Sequence, residues 1–102
     1  MRRVRYLTGA RRDLTAIYHY IEERSGSSTT AERFIQRLRR QCRHLAGLSA
    51  TLGRVGPELR PGLRSYVFEN YLILMRYEEK TLDIVNVIES HRDLEALFRK
   101  GE

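Results

Sequence analysis

Polar and apolar positions alternate over Arg3-Val4-Arg5-Tyr6-Leu7, the period of a half-buried strand, before Thr8-Gly9 interrupts the pattern. From Ala10 the spacing changes to three and four. Ala10, Leu14, Ile17, Tyr18 and Ile21 form one stripe on a helix that frays near Glu23-Arg24. Ser25-Gly26-Ser27-Ser28 reads as a connector. Thr29 and Glu32 then stand at the spacing of a capping box, in which each side chain satisfies a backbone N–H at a helix start. The stripe that follows is Ala31, Phe34, Ile35, Leu38, Cys42, Leu45 and Ala46, with Arg33, Arg37, Arg40 and His44 opposite. Two amphipathic helices joined by a short polar connector imply an antiparallel hairpin.

Between Ser49 and Gly62 the periodicity is lost, and Gly53, Gly56, Pro57, Pro61 and Gly62 mark a loop. Three runs of strand character follow, Leu63–Phe68, Tyr71–Tyr77 and Leu82–Ile88, separated by Glu69-Asn70 and by Glu78–Thr81. A short helix over Asp93–Arg99, apolar at Leu94, Leu97 and Phe98, is the last element. The expected class is α+β: an N-terminal strand, an antiparallel helical hairpin packed on a small antiparallel sheet, and a short C-terminal helix. At 102 residues there is room for one domain, spanning 1–102. Tyr71–Tyr77 is apolar on both faces, and a helical hairpin covers only one. The surplus calls for a further cover, from the closing helix, from neighbours of the first strand or from another chain.

Charge changes the picture. The 19 Lys+Arg exceed the 13 Asp+Glu by six, and all but Lys80 and Lys100 are arginines. Arginine stays protonated and forks onto carboxylate or phosphate, but it is a poor general base. The chain is biased toward anionic partners, although a GC-rich coding sequence would also favour Arg over Lys. The most specific basic feature lies around the loop and sheet: Arg54, Arg60, Arg64, Arg76 and Arg92. Arg64 shares a strand face with Tyr66 and Phe68, an interleaving of guanidinium and rings that suits nucleic acid or an acidic peptide.

Other chemistry is excluded or thin. The lone Cys42 lies on the apolar stripe, reads as a core residue, and permits neither an internal disulfide nor a Cys/His metal site. His19, His44 and His91 are too scattered to converge on zinc. No glycine-rich phosphate loop and no activated nucleophile is present, so no cofactor is expected. No run approaches the roughly 18 apolar residues of a membrane span. With no signal-peptide pattern and one cysteine, the expected location is the cytoplasm. Cleavage of RNA would need a base, an acid and cations around the phosphate, and His91 beside Arg92 is the one histidine near the basic cluster.

Several runs taken together carry a family resemblance. Gly53-Arg54, Pro57 through Ser65, Asn70 through Tyr77, Asp83 through Ile88 and the closing Arg92-Asp93 resemble the ParE toxins of the RelE/ParE superfamily, and Ala10-Arg11-Arg12-Asp13-Leu14 resembles that family's first helix. The resemblance implies the toxin half of a type II toxin-antitoxin system, bound by a ParD-like antitoxin whose acidic, apolar tail folds across the toxin. Operator DNA would then be reached only through the antitoxin's ribbon-helix-helix domain. ParE toxins are associated with poisoning DNA gyrase, whereas RelE relatives cut mRNA on the ribosome. In a ribonuclease the set here would be Arg64, His91 and Arg92. Lysine is absent from the central strands and the final helix has no Tyr or His, so the resemblance implies a binding toxin with no catalytic residue. Its contact residues would be Arg54, Arg60, Arg64, Tyr66, Arg76 and Arg92. Glu89 stands where ParE-like chains often carry His, and no role passes to it.

Overall fold

The structure is a computed structural model that describes residues 2–56 and 59–89. Six elements follow in the order β1 (Arg3–Tyr6), α1 (Thr8–Ser25), α2 (Ser28–Gly47), β2 (Arg64–Phe68), β3 (Tyr71–Tyr77) and β4 (Thr81–Ile88). The helical hairpin packs on a four-stranded sheet of order β1-β4-β3-β2. This is the expected α+β architecture with one refinement: β2, β3 and β4 form an antiparallel meander, and β1 joins β4 in parallel, making the sheet mixed. Its parallel register places Arg5 beside Asp83 and Tyr6 beside Ile84. The closing helix expected over Asp93–Arg99 lies outside the described residues.

The helix boundaries shift for identifiable reasons. α1 begins at Thr8, so Gly9 is helical rather than a break. A Cβ there would stand 3.0 Å from the Val85 carbonyl oxygen and 2.9 Å from Asn86 Nδ2, so only glycine lets the first turn approach β4 this closely. α1 ends where Gly26, at φ 69°, adopts the left-handed conformation and donates its N–H to the Glu22 carbonyl. The chain reverses at once, and the cap of α2 is Ser27, whose side chain accepts from the Thr30 N–H at 3.1 Å. The expected Thr29/Glu32 capping box is therefore replaced by a cap two residues earlier.

The main core joins the stripes of both helices to one face of the sheet. Leu14, Leu38, Cys42 and Leu45 meet Ile73, Met75, Leu82 and Ile84, all buried. Phe34 sits between Phe68 and Tyr71, with ring centroids 5.9 and 5.3 Å away. Burial pushes the Cys42 thiol up to about 11, so it stays protonated and inert, as its place on the stripe implies.

On the far face of the sheet the surplus apolar surface has a cover other than the closing helix, the neighbours of the first strand or another chain. Leu72 and Leu74 are buried against Leu59 and Leu63, which the long loop folds back over them, with Val85 and Ile88 alongside. The loop is fastened by paired backbone bonds between Arg54 and Ser65, and by the Tyr77 hydroxyl, which accepts from the Leu52 N–H. The chain thus supplies this cover from its own loop.

Candidate functional site

The basic residues singled out from the sequence do not converge on one surface. Arg64 and Tyr66 pair with Met75 and Ile73, so they stand on the helix-facing side of the sheet. Their polar groups are engaged within the fold: Arg64 donates to the Gly53 carbonyl, and the Tyr66 hydroxyl accepts from Gln41 Nε2 at 3.0 Å. Phe68 packs on Phe34. The shared face expected for Arg64, Tyr66 and Phe68 is real, but α2 and the loop lie over it, so it is not an open concave surface. Arg54 is exposed at the start of β2 through its bridge to Ser65, and Arg60 is exposed in the loop. Arg76 is on the opposite face. His91 and Arg92 lie outside the described residues.

On that opposite face a row of charges crosses three strands. Registered side by side are Arg5 of β1, Asp83 of β4 and Arg76 of β3. The Asp83 carboxylate is fully buried and accepts from Arg5 Nε at 3.0 Å, Arg5 Nη2 at 2.6 Å and the Thr81 hydroxyl at 2.8 Å. Arg76 Nη2 stands 3.8 Å away and its Nε donates to Glu78 at 2.8 Å. Burial pushes this carboxyl up, but the hydrogen bonds and the positive charges outweigh it and hold it below its ordinary value. The same contact raises the Arg5 guanidinium, chiefly through the hydrogen bond to Asp83. A carboxylate held by three hydrogen bonds, buried and kept ionised by its arginines, is poorly suited to proton transfer. Its role is to join β1 to the meander.

A third cluster lies at the edge of the sheet. Arg2, Arg3, Arg39 and Arg43 border a cavity of about 400 Å³ whose inner wall includes Val4 and Tyr6. The Arg39 guanidinium lies 4.8 Å from the Tyr6 ring centroid, and Arg2 lies at the same distance from Tyr77. Among the described residues, none of these four arginines forms an ion pair.

Comparison with known proteins identifies the family and the fold. Residues 4–94 match the family model described as the ParE toxin of the type II toxin-antitoxin system, parDE. The chain belongs to the ParE toxin family. Among solved structures it is similar to a chain titled "Chromosomal ParDE TA system from P. aeruginosa", with a TM-score of 0.76 and 22% identity. That alignment covers 89% of this chain and 98% of the other, and establishes a shared fold. No match is found among curated protein sequences.

Sequence reading passed over two features of this ParE-family fold. Asp83 is quoted only as part of a strand, yet a carboxylate inside the apolar run Leu82-Asp83-Ile84-Val85 signals a buried partner. The edge arginines were equally unmarked, although Arg39 and Arg43 stand one helical turn apart. Their closeness to Arg3 depends on where β1 enters the sheet, which no local pattern encodes. Among the described residues no group of His, Cys, Asp and Glu is placed to hold a metal ion.

Proposed function

We propose that this chain is a cytoplasmic toxin held inactive by a ParD-like antitoxin, and that when released it acts by binding DNA gyrase rather than by cutting RNA. The observation that carries the reading is the family match over residues 4–94. The net charge of +6 suits an acidic antitoxin.

Binding is favoured over cleavage by where the polar side chains are spent. General acid–base cleavage needs two proton-transfer groups and a cation within reach of one phosphate. Tyr66 and Arg64 are bonded to Gln41 and Gly53 on the helix side, while Arg76 is paired with Glu78 and Asp83 on the other. These groups serve the fold, and the sheet separates the first pair from the third residue.

Purified toxin, supercoiled plasmid and gyrase provide the test. The expected outcome is protein-linked cleaved DNA that depends on gyrase and disappears when an antitoxin is added, with mRNA intact. Ribosome-dependent mRNA cuts that vanish in Arg64→Ala or His91→Ala would overturn the reading in favour of a ribonuclease.

A further inference from the structure

The two helices carry charge very differently. α1 has three arginines against three carboxylates, whereas α2 has five arginines against Glu32 alone and so holds four of the chain's net six positive charges. On α2, Arg33, Arg37, Arg40 and His44 recur at steps of four, three and four, opposite the stripe packed into the core, and all four are exposed. An ordinary solvated face interleaves acids with bases at these spacings and gains from the pairs. Here Arg33 and Arg37 stand one turn apart with like charge, which weakens a helix, so helix stability does not account for the stripe. The one carboxylate that reaches it comes from outside the helix: Glu69, in the turn between β2 and β3, accepts from Arg37 Nη2 at 3.1 Å. Arg33 and Arg40, on either side of Arg37, form no ion pair among the described residues.

We propose that the outward face of α2 lies on the phosphate backbone of duplex DNA, with the Arg33 and Arg40 guanidinium groups on phosphate oxygens and His44 alongside. Three features select this occupant. The stripe from Arg33 to His44 runs about 16 Å along the helix, and a duplex presents one phosphate per roughly 1.7 Å of its axis, so an anionic oxygen lies within reach of each cation. A specific protein partner draws its energy from apolar and aromatic anchors at the centre of the interface. The face has none: Phe34, Leu38 and Leu45 are buried, and the exposed large apolar side chains among the described residues, Tyr20, Leu52, Val55 and Val67, lie on other elements. Single strands are held by stacking bases on rings, and α2 exposes no Phe, Tyr or Trp to serve as a platform. Contacts of this kind position a protein on the duplex without reading sequence, so the face is distinct from operator recognition.

The choice of DNA over RNA rests on the gyrase reading, and the two can fail separately. The probe is a labelled duplex DNA of about 20 base pairs, titrated into the purified full chain and followed by fluorescence anisotropy. The logarithm of the binding constant falls with that of the salt concentration by about 0.9 per phosphate neutralised. Arg33→Gln/Arg40→Gln is therefore expected to flatten the slope by about two and to weaken binding by roughly tenfold or more at about 0.05 M salt. Arg11→Gln/Arg12→Gln removes the same two charges from exposed positions on α1 and is expected to stay within about threefold of the wild type. Lysine also holds phosphate, as a point charge, so Arg33→Lys/Arg40→Lys should keep most of the affinity. A single strand of the same length should bind more weakly than the duplex. Equal losses in the two glutamine variants would assign binding to total charge and overturn the face. So would an oligoglutamate that binds as tightly through Arg33 and Arg40, or a duplex RNA that binds more tightly than the DNA. If the wild type poisons gyrase while Arg33→Gln/Arg40→Gln binds the duplex unchanged, the face fails and the gyrase reading stands. If the duplex binds as expected and gyrase is untouched, the face stands and the gyrase reading fails.

Discussion

At Asp83 a single residue sets the terms on which the first strand joins the sheet. A buried carboxylate is tolerated only when its charge and lone pairs are met, and here two arginines and a threonine meet them. Arg5 and Arg76 are 60% and 41% exposed, so removing the carboxylate leaves cations that water can hold. Asp83→Asn is therefore expected to cost about 2 kcal/mol, the scale of lost hydrogen bonds to a charged group, rather than the larger penalty of stranding a buried ion. The pH dependence carries the sign. The folded carboxyl titrates below its ordinary 3.8, so its contribution is present above that value and drains as the pH falls through the lower folded one. Urea unfolding at neutral pH and again near about pH 3 should show the gap between wild type and Asp83→Asn narrowing on acidification. A gap that stays constant or widens contradicts the pairing.

The element most dependent on one position is α1. Its N-terminal half is held to β4 where the strand register skips Val85: Asp13 Oδ2, in the second turn, accepts from both the Val87 N–H and Asn86 Nδ2 at 2.9 Å. Gly9 permits that approach. On helix propensity alone Gly9→Ala would stabilise by about 0.8–1 kcal/mol, but the added methyl meets a backbone oxygen at 3.0 Å and the amide that Asp13 holds. Contact is expected to win, giving net destabilisation of about 1–2 kcal/mol and a lowered melting temperature. A raised melting temperature would mean that the helix slides at little cost. The same junction shows what could be read in advance. The stripes Ala10-Leu14-Ile17 and Ala31-Phe34-Leu38 are legible because burial within a helix follows local spacing. Gly9 reads as a break because its reason lies on a strand more than seventy residues later. Leu59 and Leu63 read as loop for the same reason: their burial depends on a fold-back over Leu72 and Leu74 that has no period. Of the candidate site, the arginines were visible as residues, whereas their division between the two sheet faces required the register.

Over the whole molecule, the excess of six positive charges is unevenly spent. Arg5, Arg37 and Arg76 are paired with Asp83, Glu69 and Glu78, so they strengthen the fold and contribute less to the outward field. Arg2, Arg3, Arg39 and Arg43 have no carboxylate partner among the described residues and lie together at one edge. Their combined field at that edge would attract an acidic partner of the kind proposed above. Screening shortens its reach from about 30 Å at 0.01 M salt to about 8 Å at 0.15 M, while contacts already formed and partly dry are screened far less. Salt should therefore act mainly on encounter and much less on residence. In stopped-flow mixing with the acidic partner, the association rate constant is expected to fall on the order of tenfold across that salt range, with dissociation nearly unchanged. Arg39→Gln/Arg43→Gln should flatten the salt dependence of association, and Arg37→Gln, which removes a cation already neutralised by Glu69, should leave it close to that of the wild type. If both variants flatten it equally, the steering field belongs to total charge rather than to the β1 edge.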